Sequence, residues 1–261
     1  MFLSLSVTAC SPFEAWKRAG WRWLMSSPIY LSRLMPNIRS REARQDLADC
    51  AAMHRMLMNA FPDGLSSKGA ARSEAGLLYR VEATEGAIAL LVQSALLPDW
   101  TRLPPSWLQP ASAPEVKEIT QTLGRIQPGS VLRFKLVANP TRKICTKTGA
   151  DGRKNNGKRV ELRSEEEWLT WLERKAAQSG FRLKAVRASA RVADVRSSRD
   201  LKATGIEKQP DGSSSRLTFY GVAFEGRLEV VDAPQFFAAL DAGIGPGKAY
   251  GYGLLSLAPG V

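Results

Sequence analysis

The chain holds a single histidine, His54, and its imidazole is the one side chain type here whose ordinary pKa lies near neutrality. Proton transfer near pH 7 falls to it first, as general acid or general base. Asp49 is placed to cap a helix running to about Phe61 and ended by Pro62-Asp63-Gly64, which sets His54 one turn in, near the positive end of the helix dipole. That position favours the neutral ring, so a phosphate partner would be needed to hold a proton for general-acid work. The helical wheel leaves a second reading open. Met53, Leu57 and Phe61 make the apolar stripe, and His54 falls beside Phe61 as a partly buried, satisfied histidine would. The cysteines Cys10, Cys50 and Cys145 are far apart and form no C-x-x-C pair, and one histidine cannot complete a Cys/His zinc cage. No paired carboxylates and no Ser/His/Asp grouping stand out, so neither metal nor cofactor is expected. Such cysteine usage fits a reduced, cytoplasmic protein.

Two further segments bear on ligand chemistry. Between Arg142 and Arg159 lie Arg142, Lys143, Lys147, Arg153, Lys154, Lys158 and Arg159 against one acid, Asp151, and the interspersed Gly149, Gly152, Asn155, Asn156 and Gly157 make this a loop. It is either a solvated surface loop or a set of phosphate contacts, and the concentration of charge favours phosphate. The run Gly243-Ile244-Gly245-Pro246-Gly247-Lys248-Ala249-Tyr250-Gly251-Tyr252-Gly253 lets backbone N–H groups approach a ligand closely. It lacks the spacing of a P-loop and leads into a strand, so it is equally a tight helix-to-strand turn, with Tyr250 and Tyr252 as packing residues.

Positioning these groups requires a folded core, and the composition allows one. The 261 residues are 44% hydrophobic, and 37 Lys and Arg against 25 Asp and Glu give a net charge of +12. A surplus of that size draws polyanions and favours nucleic acid over acidic metabolites. No stretch approaches the roughly 20 apolar residues of a membrane span, so no membrane partner is expected. Residues 1–28 stand apart: an apolar run to Cys10, then Trp16, Lys17, Arg18, Trp21, Arg22 and Trp23. They are read as an N-terminal extension, with Met25 as an alternative start. A membrane- or RNA-touching segment is the competing view. From Ile29 the pattern is regular: a strand at 29–34, the His54 helix, and strands at 77–83 and 87–95, which together define an N-terminal domain over 29–97. Pro98, Pro104, Pro105, Pro110 and Pro114 mark 98–128 as a linker. A C-terminal domain over 129–261 opens with the alternating strand Val131 to Val137, whose Arg133 and Lys135 give it a cationic face. It continues with the capping box Ser164-Glu165-Glu166-Glu167, a hairpin turning at Glu225-Gly226, a helix from about Pro234 and a strand from Tyr250 to Leu257. Two such units predict an α+β protein of two tandem ferredoxin-like domains with antiparallel sheets.

These residues together resemble the CasE family, the repeat-processing endoribonucleases of type I-E CRISPR systems. The resemblance runs from Ile29 to the C-terminus. It rests on Tyr30-Leu31-Ser32-Arg33-Leu34; Ser40-Arg41, Arg44-x-Asp46-Leu47-Ala48 and Met53-His54-Arg55; Leu91-Val92-Gln93-Ser94 and Pro98-Asp99-Trp100; Leu132-Arg133-Phe134-Lys135-Leu136; Ala138-Asn139-Pro140-Thr141; and Gly157-Lys158-Arg159-Val160. The most specific piece is Gly243 to Lys248 with Gly251-Tyr252-Gly253-Leu254-Leu255-Ser256-Leu257-Ala258-Pro259.

The resemblance implies metal-independent cleavage of a CRISPR repeat RNA hairpin by attack of a ribose 2′-hydroxyl, leaving a 2′,3′-cyclic phosphate. It further implies retention of the guide RNA and assembly with other Cascade subunits. By the match His54 is the catalytic acid, or shares both proton transfers, and Arg55, Lys158 and Arg159 hold the scissile phosphate and hairpin. Arg41, Arg133, Lys135, Arg142, Lys143, Arg153, Lys154 and Lys248 complete the expected RNA-binding set. One departure matters. The family usually carries a tyrosine three residues before the histidine as general base, and here that position is Ala51. Tyr30 or Lys68 are the candidate substitutes, and a guide-RNA-binding subunit with little catalysis is the alternative.

Overall fold

The structure, a computed structural model, describes residues 28–65, 71–84, 86–144, 159–186, 192–208 and 212–260. The first unit runs β1 (Tyr30–Leu34), α1 (Arg41–Ala48), α2 (Cys50–Met58), the short α3 (Ala71–Glu74), β2 (Leu78–Thr84), β3 (Ala87–Ser94) and β4 (Glu115–Glu118). Its strands lie in the order β2-β3-β1-β4, all antiparallel. The helices pack Met53, Leu57 and Phe61 against Leu34, Leu90 and Val92, each at most 2% exposed. The predicted apolar stripe of the His54 helix is therefore the face that enters the core.

The proline-rich stretch is more than a connector. Trp100, Leu103 and Trp107 are 6%, 5% and 0% exposed and complete the same core. Trp107 Nε1 donates to Asp46 Oδ2 at 2.9 Å and Trp100 Nε1 to Ser32 Oγ at 3.1 Å, while β4 closes the sheet against β1. Prolines interrupt regular backbone pairing but leave the indole rings between them free to pack.

The second unit follows α4 (Thr120–Leu123) with β5 (Val131–Ala138), β6 (Thr141–Lys143), β7 (Arg159–Glu161), α5 (Glu165–Gln178), β8 (Phe181–Leu183), β9 (Val195–Lys208), β10 (Ser214–Val230), α6 (Ala233–Ala242), a 3-10 turn at Lys248–Tyr250 and β11 (Leu255–Pro259). The sheet order β11-β5-β10-β8 repeats the order of the first unit, with β9 added along β10 and β6 pairing β7 in a small ribbon. The predicted capping box forms at the start of α5: Ser164 Oγ accepts from Glu167 N, and Glu167 reaches back to Ser164 N.

Two predicted features are corrected. There is no hairpin at Glu225-Gly226, because β10 continues through both residues as one strand of 17. Gly226 is required by close approach instead: a Cβ there would collide with the Asp194 carbonyl oxygen at the start of β9. The last strand begins at Leu255 rather than Tyr250, since Tyr250 belongs to the 3-10 turn.

The units are clamped together by Arg80 of β2, which is 3% exposed. Its Nη1 donates to the carbonyls of Lys135 (3.4 Å) and Leu254 (3.3 Å) in the second unit, and its Nε and Nη2 donate to Glu82 Oε1 at 2.9 and 2.5 Å. Gln93 Nε2 adds a bond to the Leu240 carbonyl at 2.8 Å. Among the described residues no helix is long and apolar enough to cross a membrane.

Candidate active site

His54 is the fifth residue of α2, whose N-cap is Asp49 as expected. Asp49 Oδ1 accepts from Ala51 N at 2.8 Å and Ala52 N at 2.9 Å, satisfying the orphan donors of the first turn. Its Oδ2 accepts from Ile206 N of β9 at 3.2 Å, so one carboxylate both caps the helix and docks a strand of the second unit onto it. The docking is close: a Cβ on Gly205 would lie 2.8 Å from Asp49 Oδ1 and 3.0 Å from Ala51 N.

This packing makes a cavity of about 480 Å³ lined by Ala51, His54, Arg55, Glu207 and Tyr250. Glycines in the left-handed region, Gly247 and Gly251, bracket the turn that carries Tyr250. The tyrosine ring stands edge-on to His54 with centroids 6.2 Å apart, stacks on Phe219 of β10 at 5.0 Å, and donates its hydroxyl to Glu207 Oε1 at 2.8 Å. His54 is half-buried. Its Nδ1 is buried without a hydrogen-bond partner among the described residues, which leaves Nε2 as the nitrogen able to reach a substrate.

Burial pushes the His54 pKa down to about 4, with Arg72 and Arg55 adding to the fall and Glu207 opposing it. The ring is thus neutral at pH 7, as its place in the helix predicted, but desolvation is the largest cause. Tyr250 moves the opposite way: burial and the bond to Glu207 raise its pKa well above the usual phenol range.

A separate cationic groove of about 820 Å³ lies on the second unit. Arg142, Lys143, Arg159, Arg174, Lys175 and Lys248 line it, with no acid among its lining residues. Lys248, which lines the groove, is the first residue of the turn that ends at Tyr250, which lines the cavity. Burial and crowding lower the pKa of two of these lysines. The Lys248 pKa is lowered by burial, then by Arg72 and Lys175, and that of Lys175 by burial, then by Arg174 and Arg159. Cations held against one another in this way gain from a bound polyanion.

The predicted site residues divide accordingly. Arg55 lies with His54, and Arg142, Lys143, Arg159 and Lys248 lie along the groove. Arg133 and Lys135 line a different depression, where Lys135 pairs with Glu82 (3.7 Å) and Glu225 (3.4 Å) and Arg133 donates to the Pro259 carbonyl (3.3 Å). Arg41 is exposed at the first position of α1 and lines neither the cavity nor the groove. Arg153, Lys154 and Lys158, most of the basic loop, and residues 1–27 lie outside the described residues. Of the two substitutes for the missing tyrosine, Lys68 is also outside them. Tyr30 sits in β1 between Ser94 and Glu118 and does not line the His54 cavity.

Sequence reasoning missed Arg72, Arg174, Lys175 and Glu207, and took Tyr250 for a packing residue. Tyr250 had a signal, an aromatic residue one step from the glycine that frees its backbone; Glu207 had none. Among the described residues, no group of three or more His, Cys, Asp or Glu is placed to hold a metal ion.

Two successive sheets in the same strand order, meeting at an imidazole, define a protein of the tandem ferredoxin-like class. Residues 29–259 match the family model described as CRISPR associated protein. The chain is 36% identical over 245 residues to the CRISPR-associated endoribonuclease Cse3 of Thermus thermophilus, covering 88% of this chain and 100% of that one. It is 34% identical over 240 residues to the Cascade subunit CasE of Escherichia coli K12, with the same coverage. Among solved structures, Thermus thermophilus Cse3 bound to an RNA representing a pre-cleavage complex superposes with a TM-score of 0.65 at 35% identity, over 89% of this chain and all of that one. The Cas6e protein of Escherichia coli K-12 gives 0.59 at 28% identity, over 88% and 99%. The chain belongs to the CRISPR-associated protein family, in its CasE/Cse3 branch of type I-E systems.

Proposed function

We propose that this chain is a metal-independent endoribonuclease that cuts CRISPR repeat hairpins in precursor transcripts and keeps the guide RNA it produces. The observation that carries this reading is the placement of the only imidazole of the chain in a cavity with Arg55 and Tyr250, the latter on a turn whose first residue, Lys248, lines a groove of six cations and no acid. Family membership and a relative solved with RNA in a pre-cleavage complex support the same substrate.

The chemistry follows from the bond to be broken. A ribose 2′-oxygen loses its proton and attacks the adjacent phosphorus, the bond from phosphorus to the 5′-oxygen breaks, and that oxygen takes up a proton. The products are a 2′,3′-cyclic phosphate and a 5′-hydroxyl. His54 Nε2 supplies the proton to the leaving oxygen. Arg55 beside the ring, with Arg72 and Lys248, offsets the charge that builds on the phosphate, while the groove binds the hairpin backbone. A guide-bound product retained in this way fits a subunit of a Cascade surveillance complex working in the cytoplasm, where transcripts are processed.

The test is a repeat hairpin incubated in EDTA with wild type and His54→Ala under single-turnover conditions. Cleavage by wild type and its loss in the variant, with hairpin affinity kept, is the expected result. Equal rates, or dependence on a divalent cation, would overturn the mechanism. One observation favours a second reading, a guide-RNA-binding subunit with little catalysis: the position of the usual family tyrosine is Ala51, 4% exposed beneath β9. Tight hairpin binding without product would establish that reading.

A further inference from the structure

We infer that Glu207 is the general base of this site, taking the 2′-hydroxyl proton that the family's tyrosine would take, and that Tyr250 is the residue that positions it. The inference deepens the proposed endoribonuclease and rests on it. Cleavage of this kind needs two proton carriers, one on each side of the scissile phosphate, and His54 is one carrier. Among the residues lining its cavity, Ala51 carries no proton and Arg55 stays protonated at any working pH, which leaves Glu207 and Tyr250.

Chemistry separates these two. Tyr250 is half-buried, its hydroxyl already donates to Glu207 Oε1 at 2.8 Å, and both burial and that bond hold the phenol in its protonated form. It is a donor here and cannot accept the proton. Glu207 is the carboxylate it holds. The tyrosine is itself fixed, stacked on Phe219 at 5.0 Å and edge-on to His54 at 6.2 Å, so its hydrogen bond sets the direction of the carboxylate relative to the imidazole. From the backbone side, Ile206 N bonds to Asp49 Oδ2 at 3.2 Å, and Gly205 lies against the first turn of α2. Glu207 is therefore anchored at both ends to elements that carry the site.

The same contact accounts for Ala51. Strand β9 occupies the space over the start of α2, so a small side chain is needed under it, and the strand brings its own proton acceptor to the cavity. The balance is complete. Glu207 takes the proton as the 2′-oxygen bonds to phosphorus, and His54, protonated once the phosphate is bound, gives its proton to the 5′-oxygen as the old bond breaks. The enzyme leaves the cycle with its two protons exchanged between the carriers, and solvent resets them. A carboxylate beside a phosphodiester is repelled by it, and Arg55 and Arg72 offset that repulsion.

The charged and titratable groups facing Glu207 and His54 are Asp49 at the cap of α2, Cys50 and Arg55 on α2, Arg72 on α3, and Tyr250 on the turn. The test measures single-turnover cleavage of a repeat hairpin in EDTA, from pH 4 to pH 9, by wild type, Glu207→Gln, Glu207→Ala and Tyr250→Phe. With wild type cutting, Glu207→Gln is expected to lose about 10² to 10⁴ in rate, with hairpin affinity kept and without the limb on which rate climbs as a carboxylate loses its proton. Formate added to Glu207→Ala should restore part of the rate, which a purely structural role would not allow. Tyr250→Phe should lose less and keep both limbs. If wild type cuts and Glu207→Gln cuts as fast with an unchanged profile, or if formate restores nothing, Glu207 is not the base. A wild type that binds and does not cut overturns the endoribonuclease itself, and this inference with it.

Discussion

A histidine that serves as general acid must hold a proton at working pH, and in the free protein His54 does not, because its pKa is lowered to about 4. The perturbation that matters is therefore the substrate. A phosphodiester placed about 4 Å from the ring, at the effective dielectric constant of about 20 that suits partly buried sites, stabilises an imidazolium by about 4 kcal/mol. At 1.36 kcal/mol per pKa unit this is a rise of about 3 units. RNA binding is thus expected to carry His54 from about 4 to about 7, the range in which an acid is most effective.

The sign follows from proton uptake. Between pH 7 and pH 4 the complex holds a proton that the free protein does not, so hairpin affinity increases as pH falls through that window, by about 10³ across its full width, by the reciprocity of linked binding. The chain has one histidine, so a sample labelled with [¹³C]histidine gives a single imidazole signal. Titrated alone and with a hairpin carrying a 2′-deoxy sugar at the cut, that signal should show an inflection near 4 and then near 7. An inflection near 6.5 in the free protein would refute the burial argument. One that stays near 4 in the complex would refute His54 as the acid.

Two other predictions concern what holds the site together. Arg174→Ala and Lys175→Ala should each weaken hairpin binding and lower the slope of log affinity against log salt by about 1, measured by filter binding, with the cleavage rate of bound RNA unchanged. An unaltered slope would remove those residues from the groove. Arg80→Met leaves two carbonyls without their donor and Glu82 with Lys135 alone, and should cost about 3 kcal/mol in urea denaturation; an unchanged midpoint would mean that the units are joined elsewhere.

What was legible in the sequence was local. Asp49 and Ser164 announce their helices because capping is settled within four residues, and the Met53, Leu57 and Phe61 spacing identifies the buried face of α2 because the period belongs to the helix itself. The doubled strand order follows from alternation that survives in β1, β3 and β5. Strand β9 was not legible because its sequence, Val195-Arg196-Ser197-Ser198-Arg199-Asp200 and onward, puts polar residues on both faces. Gly226 misled for a related reason. A glycine required by the approach of a neighbouring strand looks, in one dimension, like a glycine that turns the chain.

The least legible part is the one on which the chemistry depends. Asp49 and Ile206 are 157 residues apart, yet their hydrogen bond sets Glu207 beside His54. A motif search centred on the helix sees Ala51 and concludes that a proton carrier is missing, because it compares positions along one element. The fold compares positions in space, and a strand entering from the second unit can supply what the helix lacks. It follows that losing a tyrosine at that position predicts loss of catalysis only in chains where β9 does not bring an acceptor to the same cavity. Ala51 on the helix and Glu207 on the strand are therefore to be judged as a pair.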